Sequence, residues 1–227
     1  MKKTFLCFIM CTALFIFFNN ALGAEVGIKG GTGFFKTTTG NYLFGVSAGQ
    51  PEVKSIISFQ VGAFYSIDIA KNLVFQPEIY YVIRGTRASK FIDTSGEEYR
   101  ATLKIEYIDI PVLVKYIIPW GNRIKPILFA GPYIGFRLNA AYFDEFFFRN
   151  TTEMDGKVLT ANQYLGMVVG GGFEFNLKSM KLTLEGRFSF GLSSMHNPNV
   201  VHPPELIYGI SNYPTDESFV FMLGIGI

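Results

Sequence analysis

Ten ionisable side chains stand at alternate positions of otherwise apolar or glycine-rich runs: Lys29, Asp68, Glu78, Arg84, Asp109, Lys115, Arg137, Glu174, Glu185 and Arg187. They divide into five acids and five bases. Paired carboxylates such as Glu174 and Glu185 could carry acid-base chemistry. Arg187 shares their parity, however, and the signs balance, so mutual ion pairing is the simpler reading. Nucleophilic catalysis needs a nucleophile or activated water, a base and a group that orients the base. No such triad can be placed in this chain. His196 and His202 are the only histidines. Two imidazoles can ligate a metal, but no cysteine or acid at ligand spacing accompanies them, so they read as loop residues beside prolines. The residues therefore point to no catalytic, cofactor-binding or metal-binding set. The glycine-rich run Val169–Phe173 lacks the strand, helix and lysine context of a phosphate loop, and reads as tight packing.

The elements that position these charges have period two. In Tyr164–Asn176, Leu165, Met167, Val169, Phe173 and Phe175 share one parity, and Tyr164, Gly166, Gly170, Gly172, Glu174 and Asn176 the other. After a tight turn at Asn176–Ser179, Leu182, Leu184, Phe188, Phe190 and Leu192 alternate with Thr183, Glu185, Arg187, Ser189 and Gly191. This pattern predicts an antiparallel hairpin. Its polar face is mostly glycine with one or two charges per strand, too cramped for a face open to water. Its apolar face is bulky, uncharged and continuous, and in water would be a large exposed patch. Lipid outside and a narrow polar lumen inside account for both faces. A soluble lipocalin-like barrel would need the uncharged face inward and the glycine face in water.

The same alternation recurs along the chain. It predicts strands at Glu25–Phe35, Ile57–Ile69, Phe75–Arg84, Thr102–Ile118 and Leu128–Asn139, and a last one at Ser218–Ile227. Long polar connections near 36–55, 85–100, 140–163 and 193–217 alternate with short turns. The pattern predicts an all-β, eight-stranded antiparallel up-and-down transmembrane β-barrel with short periplasmic turns and four long extracellular loops. Each run meets the roughly 9 to 11 residues a tilted strand needs to cross a bilayer. In Thr102–Ile118 the alternation changes above Tyr107, where Lys104 and Glu106 fall on the apolar face; that end is expected to project beyond the membrane or to bulge. Pro77, Pro111 and Pro132 lie within strands and each removes a ladder donor, so bulges or lost bonds are expected there. The segment Tyr142–Phe148 holds Tyr142, Phe143, Phe146, Phe147 and Phe148. It reads as an upper aromatic girdle and strand extension, with an exposed binding patch as the alternative.

Residues 1–23 have a basic start at Lys2 and Lys3, an apolar core and a small-x-small end at Ala21 and Gly23. They read as a cleaved secretory signal peptide, leaving 24–227 as one barrel domain. Its loss takes both cysteines, Cys7 and Cys11, and brings the formal charge of +2 to zero. Disulfides, thiol chemistry and electrostatic attraction to nucleic acid are thereby not expected.

Leu73–Tyr81 (LVFQPEIYY), Tyr107–Tyr116 (YIDIPVLVKY), Phe129–Gly135 (FAGPYIG), Leu182–Leu192 (LTLEGRFSFGL) and Gly27–Gly33 (GIKGGTG) together resemble the porin-family, PorT-like outer-membrane β-barrel proteins. The resemblance covers nearly the whole mature chain. It implies an eight-stranded barrel in the outer membrane of a Gram-negative cell, and no one activity. The C-terminal Ile227 departs from the aromatic residue that ends many such barrels.

The chain is thus expected to be a monomeric outer-membrane protein without cofactor or enzymatic activity. Lys29, Glu78, Arg84, Asp109, Lys115, Arg137, Glu174, Glu185 and Arg187 would form a lumenal charge network in a plugged lumen. Its role would be structural, or exerted through binding or adhesion at the loops. A narrow small-solute channel and an outer-membrane lipid-modifying enzyme are the alternatives. Expected partners are outer-membrane lipid, the barrel-assembly machinery during biogenesis, and an extracellular protein or ligand at the loops.

Overall fold

A computed structural model describes residues 24–37, 52–92, 98–121, 123–146, 152–155, 161–193 and 216–227. The signal-peptide reading (1–23), both histidines, Phe147 and Phe148 fall outside them. Nine strands are formed: β1 (Glu25–Thr37), β2 (Glu52–Ala70), β3 (Leu73–Ile92), β4 (Glu98–Ile117), β5 (Ile124–Phe146), β6 (Thr152–Asp155), β7 (Gln163–Leu177), β8 (Met180–Gly191) and β9 (Asp216–Gly226). Leaving β6 aside, every strand pairs with two neighbours, β5 taking β6 as a third, and all pairs are antiparallel. The order β1-β2-β3-β4-β5-β7-β8-β9 returns to β1, so the fold is a closed eight-stranded all-β barrel. The four residues of β6 pair with β5 alone among the described residues. At the foot, Val26 and Ile227 exchange both backbone hydrogen bonds. Three short connections turn the chain at that end, at Lys71–Asn72, between β4 and β5, and at Lys178–Ser179. Asn72 takes φ 64° there, a left-handed turn conformation that asparagine tolerates better than most residues.

Closure tilts the strands. Followed pair by pair from Phe34 through β9, β8, β7, β5, β4 and β3, the ladder reaches Ile67 of β2, whose neighbour Ser66 pairs with Glu25. It thus returns to the foot of β1 rather than to Phe34. Such stagger fixes strand tilt and the width of the interior, which in an eight-stranded barrel is just wide enough for side chains to fill.

The alternation sorts the two faces. Outward positions such as Ile28, Phe59, Val61, Leu128, Leu165, Phe173, Leu184 and Phe221 are apolar and exposed around the wall. A continuous apolar exterior of this kind suits lipid. Lumenal glycines make room for rings on the neighbouring strand. Gly135 pairs with Tyr164, and Gly166 with Tyr133; a side chain at either glycine would collide with its partner's ring.

Three expectations need correction. No register shift occurs at Pro77, Pro111 or Pro132, because a missing N–H forfeits one ladder bond without displacing the strand. The shifts lie instead at 55–59 and 68–70 of β2, 89–91 of β3 and at Glu106/Tyr107, where β5 has the extra residue Leu138. β4 itself does not slip, since Ile105, Tyr107 and Asp109 are all buried on one face. Finally, β3 and β4 run on to Ile92 and Glu98, so strand occupies most of the expected second connection, while β5 runs on to Phe146 as the strand extension expected at Tyr142–Phe148. Backbone groups pair across the sheet whatever the side chains' polarity, and hydrophobic alternation marks only the part that meets lipid.

Candidate functional site

The lumen gathers the charged residues into layers. At the foot, Lys181 Nζ lies 2.6 Å from Glu25 Oε2 and 3.9 Å from Glu174 Oε1, and Lys115 Nζ lies 3.6 Å from Glu174 Oε2. Only Lys181 opens substantially to solvent.

Above this layer, Lys29 of β1, Glu78 of β3 and Glu185 and Arg187 of β8 form a closed ring of alternating sign. Lys29 Nζ is 3.1 Å from Glu78 Oε1 and 2.6 Å from Glu185 Oε1. Arg187 donates to both Glu78 oxygens, at 2.6 and 2.8 Å, and its Nη2 lies 2.6 Å from Glu185 Oε2. All four side chains are at most 3% exposed. In the ring of eight, β3 and β8 stand diametrically opposite, so the Arg187–Glu78 fork spans the full lumen. Two hydrogen bonds extend it to β2: Gln76 Nε2 donates to Glu78 Oε1 at 2.6 Å, and Ser66 Oγ donates to Gln76 Oε1 at 2.9 Å. The cations also face rings. Lys29 Nζ is 4.6 Å from the centroid of Phe64, and the Arg187 guanidinium carbon is 5.4 and 5.2 Å from those of Tyr80 and Phe129. A buried ion costs several kcal/mol unless paired and hydrogen-bonded; here each charge meets two of opposite sign.

The upper layer is an arginine, aspartate and tyrosine cluster. Arg84 Nη2 donates to Asp109 Oδ2 and Nη1 to the Tyr164 oxygen, while Tyr164 donates to Asp109 Oδ1 at 2.7 Å. Tyr107 and Tyr133 meet the Tyr164 ring edge-on, at centroid distances of 4.8 and 5.5 Å. Phe35, Val82, Ile105, Ala140 and Val220 are buried near this end of the barrel.

Of the nine residues expected in the network, eight are buried in these layers. Arg137 is not: it is half-buried at the rim and donates to Asn162. Asp68, on the inward parity, is exposed at the short-turn end. Both sit near strand ends, where the wall no longer excludes water. Glu25 and Lys181 were missed, although each continues the inward parity by one step beyond Gly27 or Thr183. Tyr164 and Gln76 fall on the polar parity, but nothing local marks them as partners of Asp109 and Glu78. The segment Tyr142–Phe146 continues β5, paired with β4 and β6, and Phe143 is half-buried.

Chemically, the buried charges of the middle ring satisfy one another. Between the middle and upper layers lies a cavity of about 10 Å³ lined by Gln60, Tyr80, Arg84, Asp109, Tyr133 and Arg187 among others, at the lower limit for a single water. No substrate fits there, and the carboxylate oxygens of the middle ring are all engaged by cations.

The family model for the outer membrane protein beta-barrel domain matches residues 18–197. Among solved structures, the chain is similar to Neisserial surface protein A (11% identity, TM-score 0.45), covering 91% of this chain and 99% of that one. It is also similar to the outer membrane protein OprG of Pseudomonas aeruginosa (13%, TM-score 0.43; 91% and 96% covered). A third similar structure is Ail, the attachment invasion locus protein of Yersinia pestis (9%, TM-score 0.41; 91% and 100% covered). No curated protein matches the sequence.

Proposed function

The chain belongs to the outer membrane protein beta-barrel domain family, and from that premise we propose that it is a non-conducting, non-catalytic barrel. It serves as a rigid outer-membrane platform, holding the wall in lipid and presenting the upper parts of β2 to β6 to the outside. The observation that carries this reading is the Arg187–Glu78 fork between diametrically opposed strands, locked by Lys29 and Glu185. A hydrated ion would have to part four mutually satisfied buried charges, and the adjoining cavity of about 10 Å³ offers no alternative way through. The upward extension of β3, β4 and β5 supports the second half of the proposal. Strand pairing gives the projecting wall a fixed backbone, as a surface for specific contacts requires.

Planar bilayers test it. Wild-type protein should give no unitary current steps, whereas Glu78→Ala with Arg187→Ala, which removes the cross-lumen fork, should give measurable steps. Stable unitary conductance from the wild type would overturn the proposal in favour of a narrow channel.

A further inference from the structure

The outer wall carries a feature that the lumen does not explain. On the lipid-facing side of β1, Gly30 leaves a gap between Val61 of β2 and Leu223 of β9, its partners on either side. The gap is the centre of a groove of about 610 Å³ lined by Gly30, Phe59, Val61, Tyr81, Phe221 and Leu223, with Ile83 at one end. A Cβ at Gly30 would meet nothing nearer than the Gln60 carbonyl oxygen at 3.8 Å, so close packing does not require glycine there.

The groove leads up to a charged patch. Ile83 of β3 pairs with Glu106 of β4, Gly85 with Lys104, and Arg87 with Thr102. On this outer face Lys104 Nζ lies 3.4 Å from Glu106 Oε1, the Tyr81 hydroxyl hydrogen-bonds Glu106, and Arg87 Nε donates to Thr102 Oγ1 at 3.3 Å. Arg87 and Lys104 are exposed, and together with Glu106 they leave one net positive charge. A cationic patch that adjoins an apolar groove in the wall through Tyr81 and Ile83 has the layout of a lipid: anionic headgroup at the interface, chain along the groove. Cations at a membrane interface attract anionic headgroups by about 1 kcal/mol each.

We propose that this wall holds one phosphate-bearing lipid, its phosphate on Lys104 and Arg87 and one acyl chain along the groove at Gly30. The inference rests on the barrel lying in a membrane and not on the state of the lumen, so conductance measurements leave it untouched.

The test is native mass spectrometry of the full chain released from phosphatidylcholine vesicles doped with phosphatidic acid, against vesicles doped with diacylglycerol. Wild type should retain one phosphatidic acid and no diacylglycerol, and inorganic phosphate should not displace it. Gly30→Leu, which fills the groove without a backbone clash, and Arg87→Ala with Lys104→Ala, which removes the cations above the apolar belt, should each lower the retained fraction about tenfold. Heat-dependent gel mobility would establish that each variant is folded; the two variants sit in different layers, so either one tests the proposal. Retention unchanged in a folded variant, or equal retention of diacylglycerol, overturns it. A protein dimer abolished by Gly30→Leu would place a second copy in the groove and overturn it equally.

Discussion

The two halves of β4 obey the same alternation with opposite chemistry. Below Tyr107, Asp109 and Lys115 point into the lumen while Ile108, Ile110, Val112 and Val114 face outward. Above it, Ile105 is buried and Lys104 and Glu106 lie on the outer face. The backbone continues without a break in β4, so what changes is the medium on each side. Where lipid covers the outside, charge is tolerated only in the lumen, and only in pairs. Where water covers it, charge moves out and apolar side chains can close the barrel. The same two side-chain types therefore form a buried ion pair in one half, Lys115–Glu174, and an exposed one in the other, Lys104–Glu106. The inversion also locates the edge of the lipid, near Tyr107 on this side of the barrel.

The contrast can be broken most forcefully in the middle ring. Arg187→Met leaves Glu78 and Glu185 sharing Lys29 alone, and should cost about 3–5 kcal/mol. Urea titration of the folded fraction in phosphatidylcholine vesicles would measure it. Adding Glu78→Gln to Arg187→Met restores charge balance around the Lys29–Glu185 pair and should recover part of the loss. A double variant less stable than the single would show that the fork is not primarily electrostatic.

The outer face gives the next largest effect. Val112→Lys puts a charge on the outward face of β4 within the apolar belt and should cost about 2–4 kcal/mol. Thr102→Lys, also outward on β4 but above Tyr107, loses the hydrogen bond from Arg87 and faces it with a like charge, yet should cost less than about 1 kcal/mol. Equal costs at the two positions would mean that the lipid boundary does not lie between them.

The smallest effect separates the two ion pairs themselves. Lys104→Ala, in vesicles of phosphatidylcholine alone, should change stability by less than about 1 kcal/mol, because solvent screens a pair of which the lysine is 48% exposed. A loss as large as that of Arg187→Met would contradict a watery environment for the upper wall.

Much of this molecule was legible in its sequence because lipid and a narrow lumen impose opposite demands on alternate residues. Val26 and Ile28 against Gly27, Lys29, Gly31 and Gly33 were enough to orient β1, and the same rule oriented seven further strands and put eight of the lumenal charges inside. That rule depends only on a strand's period and on the cost of charge in hydrocarbon, both local properties. Where it stopped applying, the sequence misled. The upper ends of β3 and β4 are rich in polar residues and read as loop, yet their backbones stay paired. The partners within the lumen depended on the whole barrel. Lys29 and Glu185 meet although far apart in sequence, and Arg187 reaches Glu78 only because closure sets β8 opposite β3. Strand number and stagger jointly fix which inward residues share a level and how wide the gap between them is. No single strand encodes either quantity: parity determined which charges enter the lumen, and closure of the ring decided which of them neutralise one another.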